Sequence, residues 1–555
     1  MARNPMTQLA THDVTNQPPE LVDFNLYEQD AALVEALNRE GAAWAEPRAR
    51  TLGEEAGSAE VQDWAAEANR QVPELRSFDR FGRRIDEVAY HPAYHQLMAM
   101  AKRHEVPSIA WTTTEPGGHV AHIALEYLMI QAEAGICCPI TMTYAGIAAL
   151  RHQPDVAKDW EPGLLSPDYD GRSIPAPEKA GLTMGMAMTE KQGGSDVRAN
   201  TTRAIAIGPG GPGEEYELTG HKWFCSAPMS DAFLTLAYTD AGLSCFLVPR
   251  WQPDGSRNVF LIQRLKDKLG NRSNASSEIE YADSWARMIG EEGRGVRTII
   301  EMVHHTRLDT VMAAAAFMRQ GITHASHHCA HRQAFQKLLI QQPLMRAVLA
   351  DLALESEAAT ILALRIARAF DEAEAGDPAA GAFARIAVAV GKYWLNKRVT
   401  NHVLECLECH GGAGYVEEGP MARLFREAPV NGIWEGSGNV ICLDVLRALA
   451  REPDSAAAFM AELDVAAGTD RRLDQAIAGL QALLANPADA ERRAREIVER
   501  MALVLQASLL IRHAPPAMAD GFIASRFDDH WGRAYGTLPA GLDLDAIVER
   551  VRPSV

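Results

Sequence analysis

The chain has 555 residues, 47% of them apolar and 23% charged, and a formal net charge of −19. That length exceeds what one hydrophobic core supports, so several domains are expected, and the charge excludes a generally nucleic-acid-binding surface, leaving only a local basic patch for such a partner. No run approaches the roughly 20 apolar residues that cross a bilayer, the polar, proline-bearing N-terminus lacks the apolar core of a secretion signal, and eight cysteines in so long a chain make no disulfide framework. A cytoplasmic protein without membrane contact is expected.

Residues 1–180 read as a helical N-terminal domain. Asp30 can cap the segment AALVEALNRE, with Gly41 just beyond it. From Val120 to Ile136 apolar residues recur at helical intervals, and the pattern stops at Gly135 and Pro139. A Pro-, Asp- and Gly-rich tract over 153–177 leads into a domain of different texture. Over 181–290 short β-favouring runs appear at 216–219, 233–239, 244–248, 259–262 and 277–281. No helices separate them, so an antiparallel barrel or sandwich fits and a parallel sheet does not. Over 291–450 long amphipathic segments predict a helix bundle with a turn at Gly376-Asp377-Pro378. Residues 451–555 are helical at least as far as His513. They contain arginines but no lysine, and acids outnumber the arginines. The cluster ERRAREIVER at 491–500 reads first as a solvated face with Glu–Arg pairs at i,i+4.

One stretch carries an unusual density of chemistry: Met186 to Thr202, MAMTEKQGGSDVRANTT. Gly193-Gly194 lets the backbone approach a planar or anionic ligand. Thr189 and Ser195 offer hydroxyls to its polar edge, although Gly-Gly-Ser-Asp is also ordinary turn chemistry. The histidines at 304, 305, 324, 327, 328 and 331 include two i,i+4 pairs. There is no HExxH and no completing acid or cysteine, so no metal is expected. The CxxC at Cys406/Cys409 stands without a second pair and reads as buried and structural. There is no P-loop, and no Gly-rich turn opens a βαβ unit.

The order helices, β domain, helix bundle joins a series of motifs. These are TEKQGGSD at 189–196, GHKWFCS at 220–226, KLGNRSNASSEIEY at 268–281, GEEGRGVRTII at 290–300 and ECHGGAGY at 408–415. Together they resemble the acyl-CoA dehydrogenase superfamily over about 120–450. TEKQGGSD, LKDKLGNRSNAS, LIQQPLMR and NGIWEGSGN narrow the resemblance to the AidB-type adaptive-response flavoproteins, as do the 16–37 segment and the C-terminal extension. The resemblance implies a mainly α fold with a central antiparallel β domain: a helical N-terminal domain (1–180), a β barrel or sandwich (181–290), a helix bundle (291–450) and a helical C-terminal domain (451–555).

It also implies FAD. Met186, Ala187, Met188, Thr189, Glu190, Lys191, Gln192, Gly193, Gly194 and Ser195 would meet the flavin edge and diphosphate. Trp223, Phe224, Cys225 and Ser226 would wall the ring, since a flat conjugated system needs an apolar face and donors along its edge. Ile433, Trp434, Gly436, Ser437, Gly438 and Asn439 would close over it. Arg332, Phe335, Gln342, Gly411 and Gly412 match positions that complete a neighbouring subunit's site, which implies a homo-oligomer, a tetramer built as a dimer of dimers. The family glycine after Phe335 is Gln336 here. Glu435 occupies the catalytic base position, where burial beside Trp434 would raise its pKa toward the working pH.

Three functions follow from the resemblance. One is a flavoprotein of the DNA alkylation-damage response that binds double-stranded DNA and has weak isovaleryl-CoA-type dehydrogenase activity. The second is a metabolic dehydrogenase for a short branched acyl-CoA. The third is a non-catalytic, DNA-shielding flavoprotein. For DNA the candidate contacts are Arg447, Arg492, Arg493, Arg526 and Arg533.

Overall fold

In the computed structural model, which describes residues 5–486, 488–527, 532 and 534–554, helices begin where the sequence supplies caps. Asp30 accepts from the Leu33 amide at the head of the Ala31–Arg39 helix, and Gly41 past its end takes φ +101°, a backbone glycine adopts without a Cβ penalty. One hairpin interrupts this otherwise helical region, with β1 (Glu74–Phe78) antiparallel to β2 (Arg84–Ala89). Its strand-period burial is masked in the sequence by arginines and acids at the solvent-facing positions.

A second difference lies at Pro139. The Gly118–Ala132 helix ends before Glu133, and a new helix, Ala134–Leu150, carries Pro139 inside it. Glu133 is extended (φ −155°), and its carboxylate accepts from the Ile136 amide at 2.8 Å. The acid therefore punctuates the chain as an N-cap, and the proline does not.

The β domain comprises β3 (Met184–Ala187), β4 (Arg203–Ala206), β5 (Glu215–Ser226), β6 (Ala232–Thr239), β7 (Gly242–Pro249), β8 (Phe260–Leu265) and β9 (Ser276–Ile289). The sheet closes through the ring β6-β4-β5-β9-β7, with β3 beside β6 and β8 beside β9. Most pairs are antiparallel, as expected, but β3 and β4 each run parallel to β6. Hairpins impose antiparallel pairing, and no hairpin joins either strand to β6.

The Gly295–His331, Pro343–Glu374 and Pro378–Cys409 helices form the bundle. The expected turn is present: Gly376 takes φ +96°, and the Asp377 carboxylate accepts from the Ala379 and Ala380 amides. Between the first two helices β10 (Gln333–Ala334) pairs with β11 (Lys337–Leu338) around Phe335-Gln336. The C-terminal helices are not a separate lobe, because one apolar core runs from Leu26 to Val551 and includes Met501, Leu505 and Leu509 of the Ala494–His513 helix. All eight cysteines, Cys406 and Cys409 included, are buried and unpaired. Among the described residues no helix is long and apolar enough to cross a membrane.

Candidate active site

β3 delivers the chain into the 189–196 loop, and Glu190 anchors that loop from beneath. Glu190 is fully buried. Its carboxylate accepts from Lys222 Nζ at 2.9 Å, Thr202 Oγ1 at 2.6 Å, and the Thr201 and Thr202 amides at 2.7 and 3.1 Å. Burial pushes its pKa up, but Lys222 and these donors outweigh burial and hold it at about 2. Glu190, expected against the cofactor, is instead the loop's internal anchor. The Trp223 amide donates to the Thr189 carbonyl at 2.7 Å, which ties the loop to β5. A Cβ on Gly194 would fall 2.4 Å from Thr189 Oγ1, whereas one on Gly193 would meet nothing. Lys191, Gln192, Gly193, Gly194 and Ser195 are exposed above the anchor.

A bulge in β5 between Lys222 and Cys225 breaks the two-residue alternation. Lys222 and Cys225 both point inward, and Trp223 and Phe224 follow each other on the outside. Cys225, expected to wall the ring, is fully buried in the barrel core, and so is the side chain of Ala187. Phe224 remains 49% exposed, and Lys266 Nζ lies 3.3 Å from the Trp223 ring centroid. Ser226 is half-buried, with its hydroxyl 3.1 Å from that of Ser276.

The 433–439 turn supplies the opposite wall. Ile433 is exposed, Trp434 half-buried, and Asn439 bonded to Arg495 of the C-terminal region at 2.9 Å. Glu435 has φ +57°, an uncommon backbone for a non-glycine residue and one that marks functional strain. Three side chains hold it there. Thr306 Oγ1 donates to Glu435 Oε2 at 2.7 Å, Arg307 Nε to the Glu435 carbonyl at 3.1 Å, and Lys392 Nζ to the Gly436 carbonyl. Asp444 ties Arg307 and Arg385 together at 2.8 and 2.9 Å. Burial raises the Glu435 pKa, outweighing the Thr306 bond and the two cations. Burial also brings Lys392 down to about 7, against the pull of Glu435. Thr306, Arg307 and Lys392 escaped the sequence reading. The lone lysine in the apolar run AVAVGKYW was the available signal.

The apolar side chains of Met186, Met188, Cys138, Ala227 and Trp434 belong to one cluster, and Cys138 lies beside the Ser226 hydroxyl of the strand end and within the field of Glu435 in the turn. Arg332, Phe335, Gln342, Gly411 and Gly412 do not join them. Arg332 lies 26 residues beyond Thr306 and just past the end of the same helix, about 39 Å away along its axis. Phe335 is 94% exposed there.

Of the candidate DNA contacts, Arg526 is excluded. It is buried and ion-paired with Asp351 at 2.7 Å and Glu355 at 2.9 Å. Arg493 is half-buried and donates to the Asn486 and Ala488 carbonyls, not to a glutamate one turn away. Arg447 and Arg492 are exposed, at 3.6 Å from Asp444 and 3.2 Å from Asp489. Arg533 lies outside the described residues. Among those described, the potential metal ligands that converge are His122, Glu126 and Asp309, none of them from the histidine cluster. His122 Nε2 lies 3.1 and 3.2 Å from the two carboxylates, within hydrogen-bonding distance of both.

A barrel with two glycines in an anchored, exposed loop, two outward aromatics and a facing glutamate turn fits a flavin: Trp223 and Phe224 offer an apolar face, and a Cβ at Gly193 would meet open space. The comparisons agree. Residues 293–450 match the acyl-CoA dehydrogenase C-terminal domain, and 185–284 its middle domain. This is an acyl-CoA dehydrogenase-type oxidoreductase whose cofactor is FAD.

Residues 16–171 match the adaptive response protein AidB N-terminal domain. The chain belongs to the AidB family. It is 44% identical to AidB of Escherichia coli K12 over 94% of this chain and 95% of that one. It is 30% identical to acyl-CoA dehydrogenase family member 11 of Caenorhabditis elegans, over 85% and 80% of the two chains. Solved structures with the same fold include the Bd2924 apo-form, with a TM-score of 0.83, 29% identity, and 90% and 99% coverage. Caenorhabditis elegans ACDH-11 in complex with C11-CoA follows, with a TM-score of 0.82, 27% identity, and 99% and 95% coverage.

Proposed function

We propose that Glu435 is the base that removes the α-proton of an acyl-CoA thioester. FAD would lie against Met186, Met188, Thr189, the exposed 191–195 segment, Trp223, Phe224 and Ser226, beneath the 433–439 turn. The observation that carries this reading is Glu435 itself, a strained, half-buried carboxylate with a raised pKa facing the anchored loop. Burial makes the carboxylate a stronger base. Thr306 occupies Oε2 and leaves Oε1 to take the proton. Arg307 and Lys392 grip the turn's carbonyls and keep the carboxylate presented, while Cys138, Met186 and Trp434 exclude water. FAD, when bound, supplies the acceptor for the β-hydride. The C11-CoA in the Caenorhabditis elegans relative supports the substrate class.

The test is anaerobic bleaching of the flavin by a series of acyl-CoAs beginning with isovaleryl-CoA, repeated with Glu435→Gln. Bleaching that survives unchanged in the variant removes Glu435 as base.

Arg332, Phe335, Gln342, Gly411 and Gly412 would complete the site of a second copy in a tetramer. The distance of Arg332 from Thr306 and the bare Phe335 ring support this. Phe335→Ser should shift the mass in solution to a smaller species and lower FAD retention.

Duplex DNA binding in the alkylation-damage response is the second reading. The exposure of Arg447 and Arg492 supports it. Because the C-terminal helices share the main core, charge reversal of both arginines in the full chain is the appropriate test, and deletion of the region is not. Affinity should fall steeply with salt and weaken in the double reversal. No binding at low salt would sink the reading.

A further inference from the structure

A cavity of about 300 Å³ lies between the helical N-terminal region and the barrel. Trp223, Phe224, Trp434 and Glu435 do not line it. It adjoins the flavin side through the 227–230 turn that follows Ser226 and through Pro139, next to Cys138. Its walls are built and rigid. The rings of Tyr90 and Tyr94 stack with centroids 4.0 Å apart and planes 13° apart. His95 stands edge-on to Tyr94 at 5.6 Å, and its Nδ1 lies 2.8 Å from the Tyr169 hydroxyl. A Cβ on Gly171 would fall 2.9 Å from His95 Nδ1 and 3.0 Å from that hydroxyl, so this wall admits no side chain at 171. Lys179 pairs with Asp231 at 2.6 Å, and Asp231 also accepts from the Thr183 amide at 2.8 Å.

One polar atom on these walls is left over. Ser230 Oγ is buried and has no hydrogen-bond partner among the described residues, and Ser230 is 2% exposed. Native interiors pair such groups, so an orphan on a cavity wall indicates a missing partner. At the rim Arg76 of β1 is exposed and has no ion-pair partner among the described residues, although Asp170 beside it is paired with Arg172 at 2.6 Å.

We propose that this cavity is a second ligand site, separate from the flavin cleft, that takes a small flat aromatic carboxylate with a further polar substituent. The tyrosine stack and edge-on histidine favour a planar ring. Met98, Met229, Val88, Ala89, Pro139 and Ala227 supply the apolar remainder of the lining. Arg76 supplies a charged fork for the carboxylate. Ser230 supplies a hydroxyl for the substituent.

The experiment uses the full-length, FAD-loaded chain and 4-hydroxybenzoate as probe, followed by saturation-transfer NMR and titration calorimetry. Cyclohexanecarboxylate tests flatness and phenol tests the charge. 4-Hydroxybenzoate should bind about tenfold more tightly than either comparator. Ser230→Leu should abolish that binding and Arg76→Ala weaken it about tenfold, with flavin absorbance unchanged in both. If Ser230→Leu loses flavin or fails to fold, Arg76→Ala at the solvent-facing rim still decides. Absent probe binding, equal binding of the comparators, or undiminished binding in Arg76→Ala overturns the site.

Discussion

Glu190 and Glu435 flank the same cleft and differ in everything but their atoms. Glu190 is fully buried yet ionised, because Lys222, two hydroxyls and two amides outweigh the desolvation of its charge. Glu435 is only half-buried, with one hydroxyl on one oxygen. The cations near it grip backbone carbonyls, and its pKa rises. Burial raises both pKa values, and what separates an anchor from a base here is that only at Glu190 do the donors aimed at the carboxylate outweigh it. The consequences for pH dependence have opposite signs. Glu190, with a folded pKa of about 2 below an unfolded value near about 4.3, contributes stability that is present above pH ~4.3 and lost as pH falls toward 2. Glu435, with a folded pKa raised above its unfolded value, contributes stability at low pH that is lost as pH rises through the folded value.

The largest expected effect breaks the pair on the Glu435 side. Glu435→Gln should slow acyl-CoA-dependent bleaching by roughly 10²–10⁴-fold, the range of general base catalysis, while the flavin content is kept. Glu190→Gln should leave the bleaching rate per bound flavin nearly unchanged. Equal loss of rate per flavin in both variants would erase the distinction.

Next in size is the anchor. Lys222→Met strands a buried carboxylate, which costs about 3–5 kcal/mol, and should release FAD because the 189–196 loop loses its foundation. Adding Glu190→Gln removes the stranded charge and should recover part of that stability. Urea unfolding monitored alongside flavin fluorescence reads both. The acid-side loss between pH ~4.3 and 2 should also flatten in Lys222→Met.

A smaller effect sharpens the base side. The bleaching rate should rise with pH through a midpoint above the ordinary carboxylate value, since only ionised Glu435 accepts a proton. Lys392→Met removes a cation that favours that ionised form, so the midpoint should move to higher pH, and Lys392→Arg should restore it. Thr306→Val should move it the same way. A lysine that only packs the helix would alter stability and leave the midpoint in place.

Much of this site was legible and some of it was not, for local reasons. Asp30 with Gly41, and Gly376 with Asp377, declare their helix ends because caps and positive-φ glycines act within a few residues. The 186–202 loop declares itself by its glycines and hydroxyls. The role of Glu190 depends on Lys222, 32 residues further on, and the burial of Cys225 depends on a bulge that appears only when β5 pairs with β9. Arg526 looked like its neighbours in a net-acidic, arginine-bearing region. Only the packing of its helix against Asp351 and Glu355 separates it from the exposed Arg492. The β1–β2 hairpin was hidden because its outward positions carry the charges that otherwise signal loops.

The smallest effect concerns backbone strain, and it compares Glu435 with Gln336. Both take left-handed φ, +57° and +65°, and Phe335 beside Gln336 takes +50°. A two-residue hairpin loop with both residues left-handed is the I′ geometry that normally calls for glycine or asparagine. Among the described residues no hydrogen bond or ion pair of the Gln336 side chain accounts for the residue there. Gln336→Gly should therefore stabilise the chain by up to about 1 kcal/mol in urea unfolding, with bleaching unaffected. At Glu435 the same strain presents the carboxylate, and relief by glycine would abolish the reaction. If Gln336→Gly instead destabilises the chain or lowers FAD retention, strain at the tip of this hairpin serves the site as strain at Glu435 does, and the two turns belong to one functional surface.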